Sequence, residues 1–307
     1  MDFGRVPEAA IDTIDFTLPG DSLFTQNILT QAVKKSDAPL LRIGCAKWEI
    51  KEWIGKLYPK SQKKIDYLAE YVKQFNSIEL NATHYKIYDA AAIQKWNDKA
   101  AKRDFVFCPK VPQEISHKIA LHTPQAGNLT KAFLEGIAAF DKHLGPVFLQ
   151  LSDSFSPARK EELFIYLRSL PKALSFFVEV RHSQWFSDNN IRKELLQTLC
   201  ELNIGLVITD TSGRRDCAHM ELTIPKTFIR FVGNSLHPTD YTRIDEWATR
   251  INNWLQKGLQ ELYFFIHQHD ETYSPELSEY TIKQINETTG LKLPVPRLTD
   301  PNSGLLF

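Results

Sequence analysis

The chain has 307 residues, 43% hydrophobic and 24% charged, and its 37 basic and 37 acidic side chains cancel. That composition excludes a disordered chain, a collagen-like fibre and a disulfide-knotted miniprotein, and the zero balance supplies no global field toward nucleic acid or anionic membrane. No apolar run of spanning length is present, the amino terminus MDFGRVPEAAIDTIDF lacks the layout of a signal peptide, and Cys45, Cys108, Cys200 and Cys217 are widely scattered; no membrane association and free thiols in a reducing cytoplasm are expected.

Taken in chain order, residues 1–39 form an N-terminal extension whose two weakly apolar pieces, IDTIDF and LFTQNILTQAV, are predicted to pack across the floor of the domain that follows. Eight β-type runs come next: LRIGCAKW (41–48), SIELN (77–81), DFVFCPKV (104–111), PVFLQLS (146–152), SFFVEVR (175–181), IGLVITD (204–210), FIRFVG (228–233) and LYFFIHQ (262–268). They are nearly continuous in apolar character, as strands buried on both faces are. Between them the apolar period changes to that of a helix. Ile65, Leu68, Ala69, Val72 and Phe75 form one stripe, with Ser61 as the expected N-cap. Leu129, Phe133, Ile137 and Phe140 form another, which Gly145 is expected to end. Ser156-Pro157 reads as N-cap and first helical residue before Leu163 and Leu167, and Gly258 closes the stripe of Trp247, Ile251 and Trp254. The runs recur about every 32 residues, close to the roughly 31 of a (β/α)8 barrel. A doubly wound sheet is the competitor, but no G-x-G-x-x-G follows the first run. The expected architecture is a TIM-type (β/α)8 barrel over 40–290, with the proline-rich 291–307 as an extended tail.

Active sites of such barrels lie at the carboxyl ends of the strands, so polar residues collecting there carry information. Six of the eight ends bear ionisable groups: Glu79, Lys110, Glu179 with Arg181 and His182, Asp210, Arg230, and His267 with His269. Each alone has a plain structural explanation, because buried charges are paired wherever they occur. Their number favours a functional mouth. Glu79, Glu179 and Asp210 are the acid/base candidates, since close carboxylates can split their pKa values and take opposite roles, and His182 is a further proton-transfer candidate. Asn81, Lys110, Gln150, Arg181, Arg230, Trp48, Tyr85, His267 and His269 are the candidate ligand contacts. The cations would favour a small polar or anionic ligand, phosphorylated or sugar-like, with hydrolysis or isomerisation as the reaction class.

Two alternatives stand beside that reading. Trp48, Trp53, Tyr58, Tyr85, Tyr88 and Trp185, with Lys51, Lys56 and Lys60, offer stacking faces and charge for nucleic acid, or else plug their own loops. His267 and His269, two apart on a strand, can hold a divalent metal with carboxylates opposite, as a phosphodiesterase would require, although the spacing is a weak signal and no cofactor is expected.

The motifs I-G-C-A-K-W with W-I-G-K-L-Y-P (43–59), F-N-S-I-E-L-N-A-T-H-Y (75–85), F-C-P-K-V with I-S-H (107–117), L-G-P-V-F-L-Q-L (144–151), V-E-V-R-H-S-Q-W-F (178–186) and T-D-T-S-G (209–213) occur in order on the expected strands. Together they resemble the YecE-like family of domains of unknown function (DUF72). That resemblance implies a TIM barrel, similar in fold to barrel phosphodiesterases of the endonuclease IV type, and supplies no reaction. The chain departs from the family pattern at Ala46-Lys47, His84, Ser152-Asp153 and, at the eighth strand, His267-Gln268-His269-Asp270.

Overall fold

The computed structural model describes residues 4–32, 38–60 and 65–299. Eight parallel strands follow one another: β1 (Leu40–Cys45), β2 (Ser77–Leu80), β3 (Val106–Pro109), β4 (Val147–Gln150), β5 (Phe176–Glu179), β6 (Gly205–Asp210), β7 (Lys226–Gly233) and β8 (Glu261–Gln268). They are ordered β3-β2-β1-β8-β7-β6-β5-β4. The two ends of that order meet through the parallel bridges Phe107↔Leu144 and Lys110↔Phe148, so the sheet curls into a nearly closed barrel with a short seam between β3 and β4. Gly145 belongs to this seam rather than to a helix end. Its amide donates to Phe107 O at 2.7 Å, and a Cβ on it would meet Cys108 Sγ at 2.7 Å. The preceding helix Pro124–Ile137 instead runs into a 3₁₀ segment, Ala138–His143.

The helices carry the expected stripes on the outside of the ring. The helix Tyr67–Gln74 is capped by Asp66, whose carboxylate accepts from Ala69 N; Ser61 lies outside the described residues. Ser156 precedes the short turn Pro157–Arg159 but makes no capping bond with its side chain. Gly258 ends the helix Pro238–Lys257 at φ 124, a conformation open mainly to glycine. Among the described residues, no helix is long and apolar enough to cross a membrane.

Between β6 and β7 the chain forms only the 3₁₀ segment Ser212–Cys217, with no α-helix to cover the barrel wall. The N-terminal helix Leu23–Thr30 fills that place. Leu29 and the preceding Leu18 join Ile208, Met220, Leu222, Ile251 and Trp254 in one buried apolar cluster. Thr25 Oγ1 donates to Met220 O and accepts from Leu222 N, while the Ser22 hydroxyl donates to the buried Glu221 carboxylate at 2.6 Å. The extension therefore lines the side of the barrel, and Leu29 and Ala32 lie against Gly258, just before the start of β8. Its first described residue, Gly4, reaches the mouth end, where its carbonyl oxygen accepts from Gly213 N. The described part of the tail, 291–299, has no regular structure, and Thr299 N donates to Lys56 O.

Inside the ring, Val106, Cys108, Phe148, Phe177, Val207, Phe228, Tyr263 and Phe265 pack as one apolar cluster. Close packing and the loss of apolar surface to water make this cluster a major source of the barrel's stability. The charged groups sit on top of it.

Candidate functional site

Period-two alternation sends every second strand residue inward. On β2, β5, β7 and β8 that phase brings Glu79, Glu179, Arg230 and His267 to one level. Arg230 is fully buried and spans the barrel: Nε and Nη2 donate to the two oxygens of Glu79 at 2.9 Å each, and Nη1 donates to Glu179 Oε2 at 2.8 Å. Both carboxylates make further bonds. Glu79 accepts from Asn81 Nδ2 at 2.8 Å and pairs with His267 Nε2 at 3.0 Å, and Glu179 accepts from Arg181 Nε at 2.6 Å and Thr209 Oγ1 at 2.9 Å. Beneath this lattice the Phe148 ring faces both Arg230 and Lys110.

The electrostatics follow from the partners. Burial opposes ionisation of both carboxyls, but Arg230 and His267 outweigh it at Glu79, which lies well below the usual range, and Arg181 with Arg230 outweigh it at Glu179, which falls to about 2. A guanidinium between the two carboxylates lowers both, so the expected splitting into an acid and a base does not arise from this geometry. Lys110 differs. Its ammonium donates to Gln150 Oε1 at 2.8 Å, and among the described residues no carboxylate lies within ion-pair distance of it. Burial, reinforced by Arg230 and only partly offset by Glu79 and Glu179, brings its pKa down to about 7. Lys110 and Gln150 are each 6% exposed and Arg181 7%, so solvent still touches these three side chains.

Asp210 does not join them. On β6 it is Thr209 that faces inward, and Asp210 points out to the wall helix, where it accepts from Trp247 Nε1 at 2.8 Å and pairs with Arg243 at 3.0 Å and with Arg215. Those cations hold it below the usual carboxylate range against its burial. It is an anchor for the helix Pro238–Lys257 and for the loop after β6. His182 is half-buried, with Nδ1 accepting from Gln184 N. His269 lines a separate surface cavity of about 390 Å³ with Asn234, Leu236, His237 and the extension's Arg5. His267 is engaged with Glu79, and among the described residues no three His, Cys, Asp or Glu side chains gather as metal ligands.

Barrels often bind phosphate at the loops after their seventh and eighth strands. Here those amides are taken by the protein itself, since Asp240 accepts from Asn234 N and Leu236 N and Gln268 Oε1 accepts from Ser235 N. The aromatic loops are likewise turned inward. Trp53, Tyr58 and Trp185 are buried, with polar atoms bonded to Glu271 O, Trp48 O and Phe155 O, and Lys56 pairs with Glu276. Trp48 packs edge-on against Trp96, Tyr88 also meets Trp96, and Tyr85 alone of the six is well exposed, at 72%. Most of these rings therefore pack against the protein itself.

Sequence reasoning passed over two imidazoles on the β3 side. His84 and His117 lie 5.3 Å apart, ring to ring. Nδ1 of His84 meets Val111 O at 2.9 Å, and Nδ1 of His117 meets Ser116 Oγ at 2.6 Å. Burial and the charge of Lys110 push His84 down to about 4, and burial with Lys110 and Arg181 lowers His117, so both are neutral at pH 7. Their presence in the second and third motifs was the available signal.

The family model for the protein of unknown function DUF72 matches residues 42–300. The chain belongs to the DUF72 family. It is 27% identical to UPF0759 protein YecE of Escherichia coli K12, over 81% of this chain and 94% of that one. A DUF72 family protein from Enterococcus faecalis V583 superposes with a TM-score of 0.63 at 20% identity, covering 83% of this chain and 99% of the other. One from Thermotoga maritima gives 0.59 at 20% identity, with 81% and 99% covered. These likenesses establish the DUF72 barrel, and the family's description assigns it no reaction.

Proposed function

We propose that the barrel mouth binds a small anion, a carboxylate or phosphate carried by a polar or sugar-like ligand, between Lys110 and Arg181. The observation that carries this reading is the buried Lys110 ammonium with no carboxylate partner among the described residues. A buried charge without a counter-ion is costly, and the energy is recovered when a ligand supplies one. Glu79 and Glu179 serve in this reading as fixed negative charges that hold Arg230 and Arg181 in position. They have no proton to give at neutral pH, so proton transfer during hydrolysis or isomerisation falls to Lys110 and His117.

The test is thermal denaturation with inorganic phosphate or oxalate at constant ionic strength. Either anion raises the melting temperature of the wild-type chain above the chloride control, and Lys110→Gln and Arg181→Gln lose that rise. Equal shifts in wild type and both variants, or none in the wild type, would refute the site.

A further inference from the structure

We propose that Lys110 is a nucleophile that captures the carbonyl group of an anionic aldehyde or ketone as an imine. The inference deepens the anion-site reading and rests on it for the substrate's charged group. Among the described residues Lys110 is the one buried lysine, and it stands at the end of β3 on the floor of the mouth rather than on a helix surface. Its Nζ makes one hydrogen bond, to an acceptor, Gln150 Oε1. A neutral amine satisfies that acceptor with one N–H and keeps its lone pair for attack. The two carboxylates that could stabilise the ammonium are spent on Arg230 and Arg181. The lowered pKa agrees with this arrangement: about half of the amine is neutral at pH 7, against well under 0.1% for an ordinary lysine.

The step balances without a further reagent. The amine nitrogen attacks the carbonyl carbon, the π pair moves to oxygen, and a proton passes from nitrogen to that oxygen to give a carbinolamine. The C–O bond then breaks as the nitrogen lone pair forms the C=N bond, the remaining N–H proton is passed to the departing hydroxyl, and one water leaves as the imine forms. A neutral imidazole relays protons between nitrogen and oxygen well, and His117, oriented by Ser116, is within electrostatic reach of Lys110. Arg181 holds the carboxylate or phosphate of the substrate, which sets the requirement for an anionic carbonyl compound.

The experiment is reductive trapping at pH 7 with glyoxylate and cyanoborohydride, followed by peptide mass mapping. The expected result is modification of Lys110 at least ten-fold faster than the average surface lysine, slowed by added phosphate. Arg181→Gln slows the glyoxylate reaction at Lys110 by a larger factor than it slows trapping there by uncharged formaldehyde, and equal factors would overturn the Arg181 contact with the substrate's charged group. Lys110→Arg removes the fast site. If phosphate stabilises the wild-type chain yet Lys110 is trapped no faster than surface lysines, this inference falls and the anion site survives. If glyoxylate traps Lys110 rapidly but phosphate neither slows trapping nor stabilises the chain, the anion site falls, and with it the claim that the substrate is anionic.

Discussion

Replacing Arg230 with methionine reverses the pH dependence of stability. The substitution deletes three buried charge-assisted hydrogen bonds, at 2.9, 2.9 and 2.8 Å, and leaves Glu79 and Glu179 without the cation between them. Removing one partner of a buried ion pair costs about 3–5 kcal/mol, a large share of a typical domain's total stability. In the wild-type chain Glu179 titrates near 2, below its unfolded value. Its contribution, about 3 kcal/mol, is therefore present in full above roughly pH 5 and lost as pH falls toward 2. Lys110 adds a gentle rise in stability from about pH 7 upward, because the unfolded chain keeps a proton that the folded one has released. Without Arg230, burial disfavours the charged forms of Glu79 and Glu179, so the folded chain holds a proton to higher pH than the unfolded chain does. The folded state then carries the extra proton, and stability declines from pH 5 to 8. Arg181 still faces Glu179 and moderates the loss on that side. Urea denaturation followed by circular dichroism across this range measures both effects, and adding Glu79→Gln should recover about 1–3 kcal/mol of coupling. A loss below 1 kcal/mol, or an unchanged pH slope, would refute the view of Arg230 as the keystone of the lattice.

Lys110→Met, which replaces an uncompensated buried cation by an apolar chain of similar length, stabilises the ligand-free protein at pH 7 by about 1–4 kcal/mol and abolishes the rise above pH 7. A less stable variant in the same urea titration contradicts the assignment. Asp210→Asn costs about 3 kcal/mol through Arg243 and Trp247 but leaves the anion-induced thermal shift intact. Retained stability with a lost shift would return Asp210 to the mouth. Gly145→Ala forces a Cβ against Cys108 Sγ and Phe107 O at the β3–β4 seam. It should cost about 1–3 kcal/mol in chemical denaturation, part of which Cys108→Ala restores; a neutral effect would mean the seam is loosely packed.

The eight strands were legible because burial on both faces and regular spacing leave a strong mark in the sequence. The same burial hid their phase. In IGLVITD every position is apolar or small until the end, so nothing in the run told whether Thr209 or Asp210 faces the axis, and a one-residue error moves a side chain to the opposite face. Where a strand ends in a polar alternation, as in Glu179-x-Arg181, the inward pair was readable, and the two side chains do bond each other. The pairing of Glu79 with Arg230 was beyond sequence reasoning, since 151 residues separate them and only the curvature of the sheet joins them. The missing helix between β6 and β7 was hidden for a similar reason: the element that replaces it lies near the start of the chain.

The join between β3 and β4 sets the order in which the ring can give way. The other seven joins are ladders of consecutive residue pairs, while this one is held by two isolated bridges, and the side-chain bond from Lys110 to Gln150 crosses the same gap. A guest gripping Lys110 from one side and Arg181 from the other acts as a hoop around the loosest stave. Occupancy would then register as slowed amide exchange at Gly145 and Val111, whose N–H groups lace that gap, before it registered anywhere else in the molecule.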